Sequence, residues 1–178
     1  MRSGDMRHAC GASAQSIIAP VEPSAFDELA FFRSIHDSGT RALLIGRRAL
    51  VLLGLPVLTA DYDFWIDIDD IARFNAACEP FGLVTARSPD EARQSGRYVL
   101  ENDEHVDVLV ARSVPTVHGR TVEFDTLWAA RQSIPIADGV LVAIPAIDDL
   151  ILTKQVASRP KDLEDIRLLE AIRGGDAR

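Results

Sequence analysis

Two short runs with the residue content of β-strands each carry aspartate where a strand would normally face apolar surroundings. In Asp61-Tyr-Asp-Phe-Trp-Ile66 the aromatic and β-branched content predicts a strand. Side chains alternate faces along a strand, so Asp61 and Asp63 point the same way with Tyr62 between them. In His105-Val-Asp-Val-Leu-Val110 the same alternation puts Val106, Val108 and Val110 on one face and His105, Asp107 and Leu109 on the other. An unpaired charge in such a strand is expensive, and two carboxylates two residues apart repel each other. A fold built on these runs must supply a cation or hydrogen-bond donors where the carboxylates gather. Two partners stay open for Asp107: an ion that it shares with the other two, or a salt bridge from an arginine. His105 is either a partner of Asp107 or a strand-end histidine with no part in chemistry.

A hard divalent ion suits this donor set, because Mg²⁺ takes carboxylate oxygens and shares its other positions with phosphate and water. Asp-x-Asp alone also fits solvated carboxylates at a strand start. A calcium loop beginning at Asp61 is excluded: its fifth, sixth and twelfth positions are Trp65, Ile66 and Ala72, where an oxygen ligand, glycine and glutamate are required.

The rest of the chain frames these runs as one domain. Ser24, with Asp27 three residues on, predicts a capped helix whose apolar side is Phe26, Leu29, Ala30 and Ile35, with Phe32 a further candidate, ended by Gly39. Ala42–Ile45 reads as a short buried strand, Gly46 as a turn and Arg47–Leu53 as a helix. Asp69 or Asp70 can cap a helix over Ile71–Cys78, which Pro80 stops. Gly96–Leu100 and His105–Val110 flank Glu101-Asn-Asp-Glu104, a hairpin turn signal. A further pair of strands, near Thr121–Phe124 and Val140–Ile144, flanks a short helix at Leu127–Arg131. Ala146–Ala157 and Pro160–Ile172 read as a closing helix pair. Strands in hairpins with helices at both ends predict an α+β fold with a mixed, mostly antiparallel sheet. Residues 1–19, rich in Ser, Gly and Ala, are expected to form a loose arm before a single domain over 20–178.

Composition excludes several classes. Apolar residues make up 47% of the 178, enough for a substantial core. The longest apolar run, around Ala49–Leu58, is broken by Gly54 and Pro56, far short of the roughly 20 residues a membrane span needs. The first residues lack an apolar core, so no signal peptide is read and a cytoplasmic location is expected. Cys10 and Cys78 form no CxxC or Cys/His cluster, which argues against zinc and a disulfide framework. A net charge of −8 argues against a broad nucleic-acid footprint. It leaves room for a local basic pocket from Arg41, Arg47 and Arg48.

Strand, Gly-containing turn, helix, Gly54-Leu55-Pro56, Thr59-Ala-Asp-Tyr-Asp63 and a later hydrophobic-Asp-hydrophobic strand, in that order, resemble the minimal nucleotidyltransferases of the DNA-polymerase-β superfamily. The tail, Asp149-Leu-Ile-Leu-Thr-Lys154 followed by Ala157-Ser-Arg-Pro-Lys-Asp162 and Asp165, is similar to the helix pair of the bacterial abortive-infection and toxin-type branch. The resemblance covers roughly residues 42–170. It implies a nucleotidyltransferase-type sheet and an enzyme that moves a nucleoside monophosphate from a nucleoside triphosphate (NTP) to an acceptor hydroxyl. It further implies Mg²⁺ on Asp61, Asp63 and Asp107, with Asp107 acting on the attacking hydroxyl. The nucleotide would be met by Gly46, Arg47, Arg48, Thr59 and Lys154. The acceptor could be RNA, a protein or a small molecule, and a cognate antitoxin is a possible partner of the toxin branch. The sequence departs from the pattern at Gly46-Arg47-Arg48, where the second residue is usually Gly or Ser, and at Val57-Leu58, where an Arg is common. Arg47 would either crowd the phosphates or replace the missing basic group. These departures keep a second expectation open: a descendant of the fold that binds a nucleotide or a partner protein without turnover. Lys154 could instead stabilise the fold at the helix junction or be an ordinary helix-surface lysine, and Arg159, Lys161, Asp162 and Asp165 could simply pair along their helix. Trp65 and Trp128 are expected to pack rather than stack on bases.

Overall fold

A computed structural model describes residues 26–175. The expected arm over residues 1–19, Cys10 and the Ser24 cap lie outside them. The framework is a four-stranded mixed sheet of β1 (Ala42–Ile45), β2 (Tyr62–Ile66), β3 (Arg97–Glu101) and β4 (His105–Leu109), in spatial order β1-β2-β4-β3. β1 runs antiparallel to β2, β2 parallel to β4, and β3 antiparallel to β4. The parallel pair is bridged by two helices, α3 (Ile71–Cys78) and α4 (Pro89–Ser95), as such a crossover requires.

Pleating separates two faces. Tyr62, Phe64 and Ile66 of β2, Val106 and Val108 of β4, and Tyr98 and Leu100 of β3 enter the main core. α1 (Glu28–Ser38) lays Phe31, Phe32 and Ile35 on it, and α3 adds Phe74 and Cys78. Burial pushes the Cys78 thiol up to about 12, so this residue serves packing and not thiolate chemistry. On the opposite face Leu43 and Trp65 join a smaller cluster with Val122, Phe124 and Leu127. Trp65 is fully buried and its indole N–H donates to Ala111 O at 2.8 Å, so it packs as expected. Trp128 stacks on Phe124 and lies against the Arg131 guanidinium, 4.0 Å from its ring centre.

The α+β class and the mixed sheet are as the hairpin pattern predicts, with local differences. The first helix is capped by Asp27, which accepts from Ala30 N at 3.0 Å. Neither Asp69 nor Asp70 caps α3 through its side chain. A 3₁₀ turn over Ile68–Asp70 precedes that helix, and the Asp70 carboxylate takes Arg41 N at 2.8 Å and the Arg73 guanidinium. The polar stretch after Pro80 contains α4, started by a capping box between Ser88 and Glu91. Two strands are short or masked by proline: β5 (Ser113–Pro115) and β7 (Gln132–Ala137). They pair with β6 (Thr121–Glu123) and β8 (Val140–Ile144), so β6 and β8 are not partners of each other. Between β6 and β7 lies α5 (Phe124–Ala130).

The closing helices, α6 (Ile147–Lys154) and α7 (Pro160–Gly175), are joined by a turn in which Ser158 takes a left-handed conformation at φ 50°. Lys154 is buried, not a surface lysine, and donates to Asp165 at 2.7 Å. Asp165 is fully buried and also takes the Arg47 Nε–H at 3.1 Å from α2 (Gly46–Leu52). Of the pairings expected along the tail, Arg159–Asp162 holds, whereas Asp165 is spent on other elements. Removing one partner of a buried ion group strands the others and costs about 3–5 kcal/mol. Asp165→Ala is therefore expected to lose stability on that scale in urea unfolding. Lys154→Met combined with Asp165→Leu should recover a large part of the loss; a loss under about 1 kcal/mol for Asp165→Ala alone would contradict this account.

Candidate active site

β2 and β4 are parallel and in register Tyr62↔Val106, Asp63↔Asp107 and Phe64↔Val108. The two carboxylates thus leave adjacent strands, about 4.8 Å apart, on the same side of the sheet. Further along the strands that side is covered by Trp65 and Leu109; at the start of the strands it is not, and the acidic pair stands there. Asp63 is half-buried and Asp107 exposed. Burial raises the Asp63 pKa first of all, and the Asp107 and Asp61 charges raise it further against the opposing pull of Lys154 and Lys161. No arginine pairs with Asp107 among the described residues; its nearest polar neighbour in an ion pair is His105 Nε2 at 3.4 Å. His105 also meets Glu101, Nδ1 to Oε1 at 3.0 Å, so it sits at the strand end as a neighbour of the site.

Gly46 lies at the turn from β1 into α2, with Ile45 opposite Asp63 in the β1–β2 register. Its φ is 66°, and a Cβ built on it would overlap the Asp63 carboxylate. Glycine is required here twice over, by conformation and by the approach of an acid. A cavity of about 180 Å³ opens beside the pair, lined by Gly46, Asp63, Thr153, Lys154, Arg159 and Asp162 among others. Arg159 enters as a site residue that spacing had placed in a helix pairing. It does bind Asp162, Nε to Oδ2 at 2.9 Å, yet the Asp63 and Asp107 charges also help raise its pKa after the Asp162 bond. Burial pushes Asp162 up, but the Arg159 side-chain and backbone N–H groups outweigh it and hold this carboxyl below its usual value. The sequence signal for Arg159 was the tail motif, which carries no information about which cavity the helix junction faces.

Other residues expected at the nucleotide are engaged elsewhere. Arg47 turns to α7, donating to Asp165 and to Glu164 at 3.3 Å, so it neither crowds Gly46 nor replaces a phosphate-binding group there. Arg48 stacks 4.3 Å from the Tyr62 ring centre and pairs with Glu28 at 3.1 Å. Thr59 Oγ1 accepts Asp61 N at 3.2 Å and shapes the turn into β2. Asp61 is exposed just before β2.

The donors suit a hard divalent ion in chemistry. Among the described residues no group of three or more His, Cys, Asp or Glu side chains stands gathered to hold a metal ion. Mg²⁺ in phosphate-handling sites is commonly held by one or two carboxylates plus substrate oxygens and water. Asp63, desolvated and repelled by its register partner Asp107, offers with it two carboxylates of that kind.

No family model matches the sequence, and no curated protein does. Solved structures do. The antibiotic-resistance factor ANT(2'')-Ia in solution superposes with a TM-score of 0.59 at 13% identity, covering 83% of each chain. ANT(2'')-Ia crystallised with adenylyl-2''-tobramycin gives 0.54 at 14% identity over 84% of this chain and 88% of that one. A Thermotoga maritima protein described as a nucleotidyltransferase gives 0.53 at 12% identity, over 77% and 86%. At these identities the likeness is one of architecture, and it agrees with the resemblance carried by Asp61, Asp63 and Asp107. The chain has the nucleotidyltransferase fold.

Proposed function

We propose that the chain is an enzyme that transfers a nucleoside monophosphate from an NTP to a hydroxyl group. The observation that carries this reading is the register pairing of Asp63 with Asp107 beside Gly46, next to a cavity holding Lys154 and Arg159. Acids forced together against their repulsion need a cation, and basic groups alongside suit a phosphate chain. The similar fold of ANT(2'')-Ia, crystallised with an adenylylated product, favours the same chemistry.

In this reading Asp63 and Asp107 would hold Mg²⁺, with Asp61 in the turn before them as a further acid. When bound, the ion offsets the phosphate charge and draws down the pKa of the acceptor hydroxyl. Gly46 leaves room for the phosphates beside Asp63, while Lys154 and Arg159 line the space they would occupy. The acceptor oxygen bonds to the α-phosphorus as the bond from that phosphorus to the α–β bridging oxygen breaks. Pyrophosphate departs with the electron pair, and the acceptor's proton passes to an Asp107 carboxylate oxygen. Rate enhancement rests on position and charge, since no covalent intermediate is required. A cytoplasmic setting agrees with NTP use, and among the described residues no helix is long and apolar enough to cross a membrane. A toxin role with a cognate antitoxin would rest on the tail motif alone, whose Lys154 and Asp165, with Arg47, here tie α6, α7 and α2 together. One observation favours a second reading, binding without turnover: among the described residues no three acidic, His or Cys side chains form a metal-holding group.

Three measurements test the site. Incubated with each NTP, Mg²⁺ and a panel of hydroxyl acceptors, wild type should release pyrophosphate, and Asp63→Ala and Asp107→Asn should lose about 10²–10⁴-fold. Equal rates would overturn the reading, while MgATP affinity that survives Asp107→Asn with no turnover in wild type would select the second one. Gly46→Ala combines a left-handed φ with a clash on Asp63, and is expected to abolish turnover and lower stability by about 1–3 kcal/mol. The third concerns pH. Because folding raises the Asp63 pKa, the native chain binds the proton more tightly than the unfolded one, and stability falls as pH rises from the ordinary carboxylate value through the raised one. In EDTA, Asp63→Asn should therefore melt higher than wild type at neutral pH, with the gain shrinking on acidification; a gain that grows toward acid would contradict it.

A further inference from the structure

A second, larger opening meets the acidic pair from the other side. β3 is the sheet's edge strand, and the register Arg97↔Leu109, Val99↔Asp107, Glu101↔His105 puts Arg97, Val99 and Glu101 on the same face as Asp107. Together with Val84–Arg87 this face forms a cleft of about 520 Å³ that includes Asp107 but not Asp63. The cavity with Lys154 and Arg159 includes Asp63 but not Asp107. Since the two aspartates are register partners, the two spaces adjoin at the place where transfer would occur, one over β1 and β2 and the other over β4 and β3.

The acids and the arginines of the cleft are equal in number but are not paired with one another. Its acids, Glu101 and Asp107, both face His105. Its two arginines form no ion pair among the described residues: Arg97 is exposed, and the Arg87 guanidinium donates to the Arg97 carbonyl at 3.3 Å. A volume of this size fits a small molecule. The net charge of −8 disfavours a long nucleic acid. We infer that this cleft is the acceptor pocket and that Arg87 and Arg97 select a small hydroxyl compound bearing an anionic group, of the sugar-phosphate class, against polycations. This rests on the transferase reading and deepens it. A hydroxyl lodged over Val99 lies beside Asp107, which would take its proton, while the anionic group meets the arginines at the cleft's outer end.

The test is a pair of NMR titrations on the full ¹⁵N-labelled chain, with ribose 5-phosphate and with tobramycin as probes, each with and without MgATP. Ribose 5-phosphate is expected to shift the Thr85–Arg87 and Arg97–Val99 amides and the Arg97 Nε–H signal. Tobramycin should leave them in place. Arg97→Glu, an exposed edge-strand change, should weaken ribose 5-phosphate at least tenfold without altering MgATP affinity. Tobramycin shifting these signals, no shift with millimolar ribose 5-phosphate, or undiminished binding by Arg97→Glu would each overturn the inference. MgATP shifts around Gly46 report on the transferase reading separately, so its failure and that of the acceptor assignment are told apart.

Discussion

Like charges held side by side on a parallel strand pair set the terms for the rest of this molecule. Asp63 and Asp107 cannot separate, because the ladder between β2 and β4 is fixed by the apolar residues that alternate with them. A one-residue slip would bury the acids in the main core and expel Phe64 and Val108. The repulsion is thus maintained by hydrophobic burial on the far face of the same strands, and it is greatest at Asp63, which is both less hydrated and flanked by two acids. Strain of this sort persists in a protein when a ligand uses it.

The C-terminal helices supply the counter-charge without neutralising the pair. Lys154 is bound to Asp165, and Arg159 to Asp162, yet both bases line the space beside Asp63. A basic residue already held by its own carboxylate is pre-oriented and loses little rotamer freedom when a phosphate arrives. Asp165 does double duty, because it also anchors Arg47 from the helix that follows Gly46. The turn that leaves room at Asp63 and the helix that brings basic groups to it are therefore tied through one buried carboxylate. That link explains how an arginine after the turn glycine is tolerated: its guanidinium is drawn 118 residues along the chain, away from the site.

Much of this was legible in the residues themselves, and for physical reasons. Period-two alternation located β2 and β4 and put Asp107 on the polar face, since one face of each strand must meet the core. Glu101–Glu104 announced the β3–β4 hairpin by its turn chemistry. Boundaries set by capping were less secure: Asp27 rather than Ser24 starts the first helix, and Asp70 is used by Arg41 instead of capping α3. β5 and β7 escaped because each is short or carries proline and draws its stability from a partner rather than from its own pattern.

The sequence by itself determined which residue types alternate, where the chain must turn, and that acids would stand on strands otherwise apolar. Those are local properties, governed by backbone geometry and by the cost of burying charge. Only the tertiary structure decided that β2 lies next to β4, and hence that Asp63 faces Asp107. It also decided that Lys154 is buried, that Arg47 and Arg48 are taken up by Asp165 and Glu28, and that Arg159 lines the space beside Asp63. A charged side chain has several carboxylates within its reach in sequence terms. Which one it meets depends on how distant segments are docked, and docking is set by the summed packing of the core rather than by any spacing along the chain.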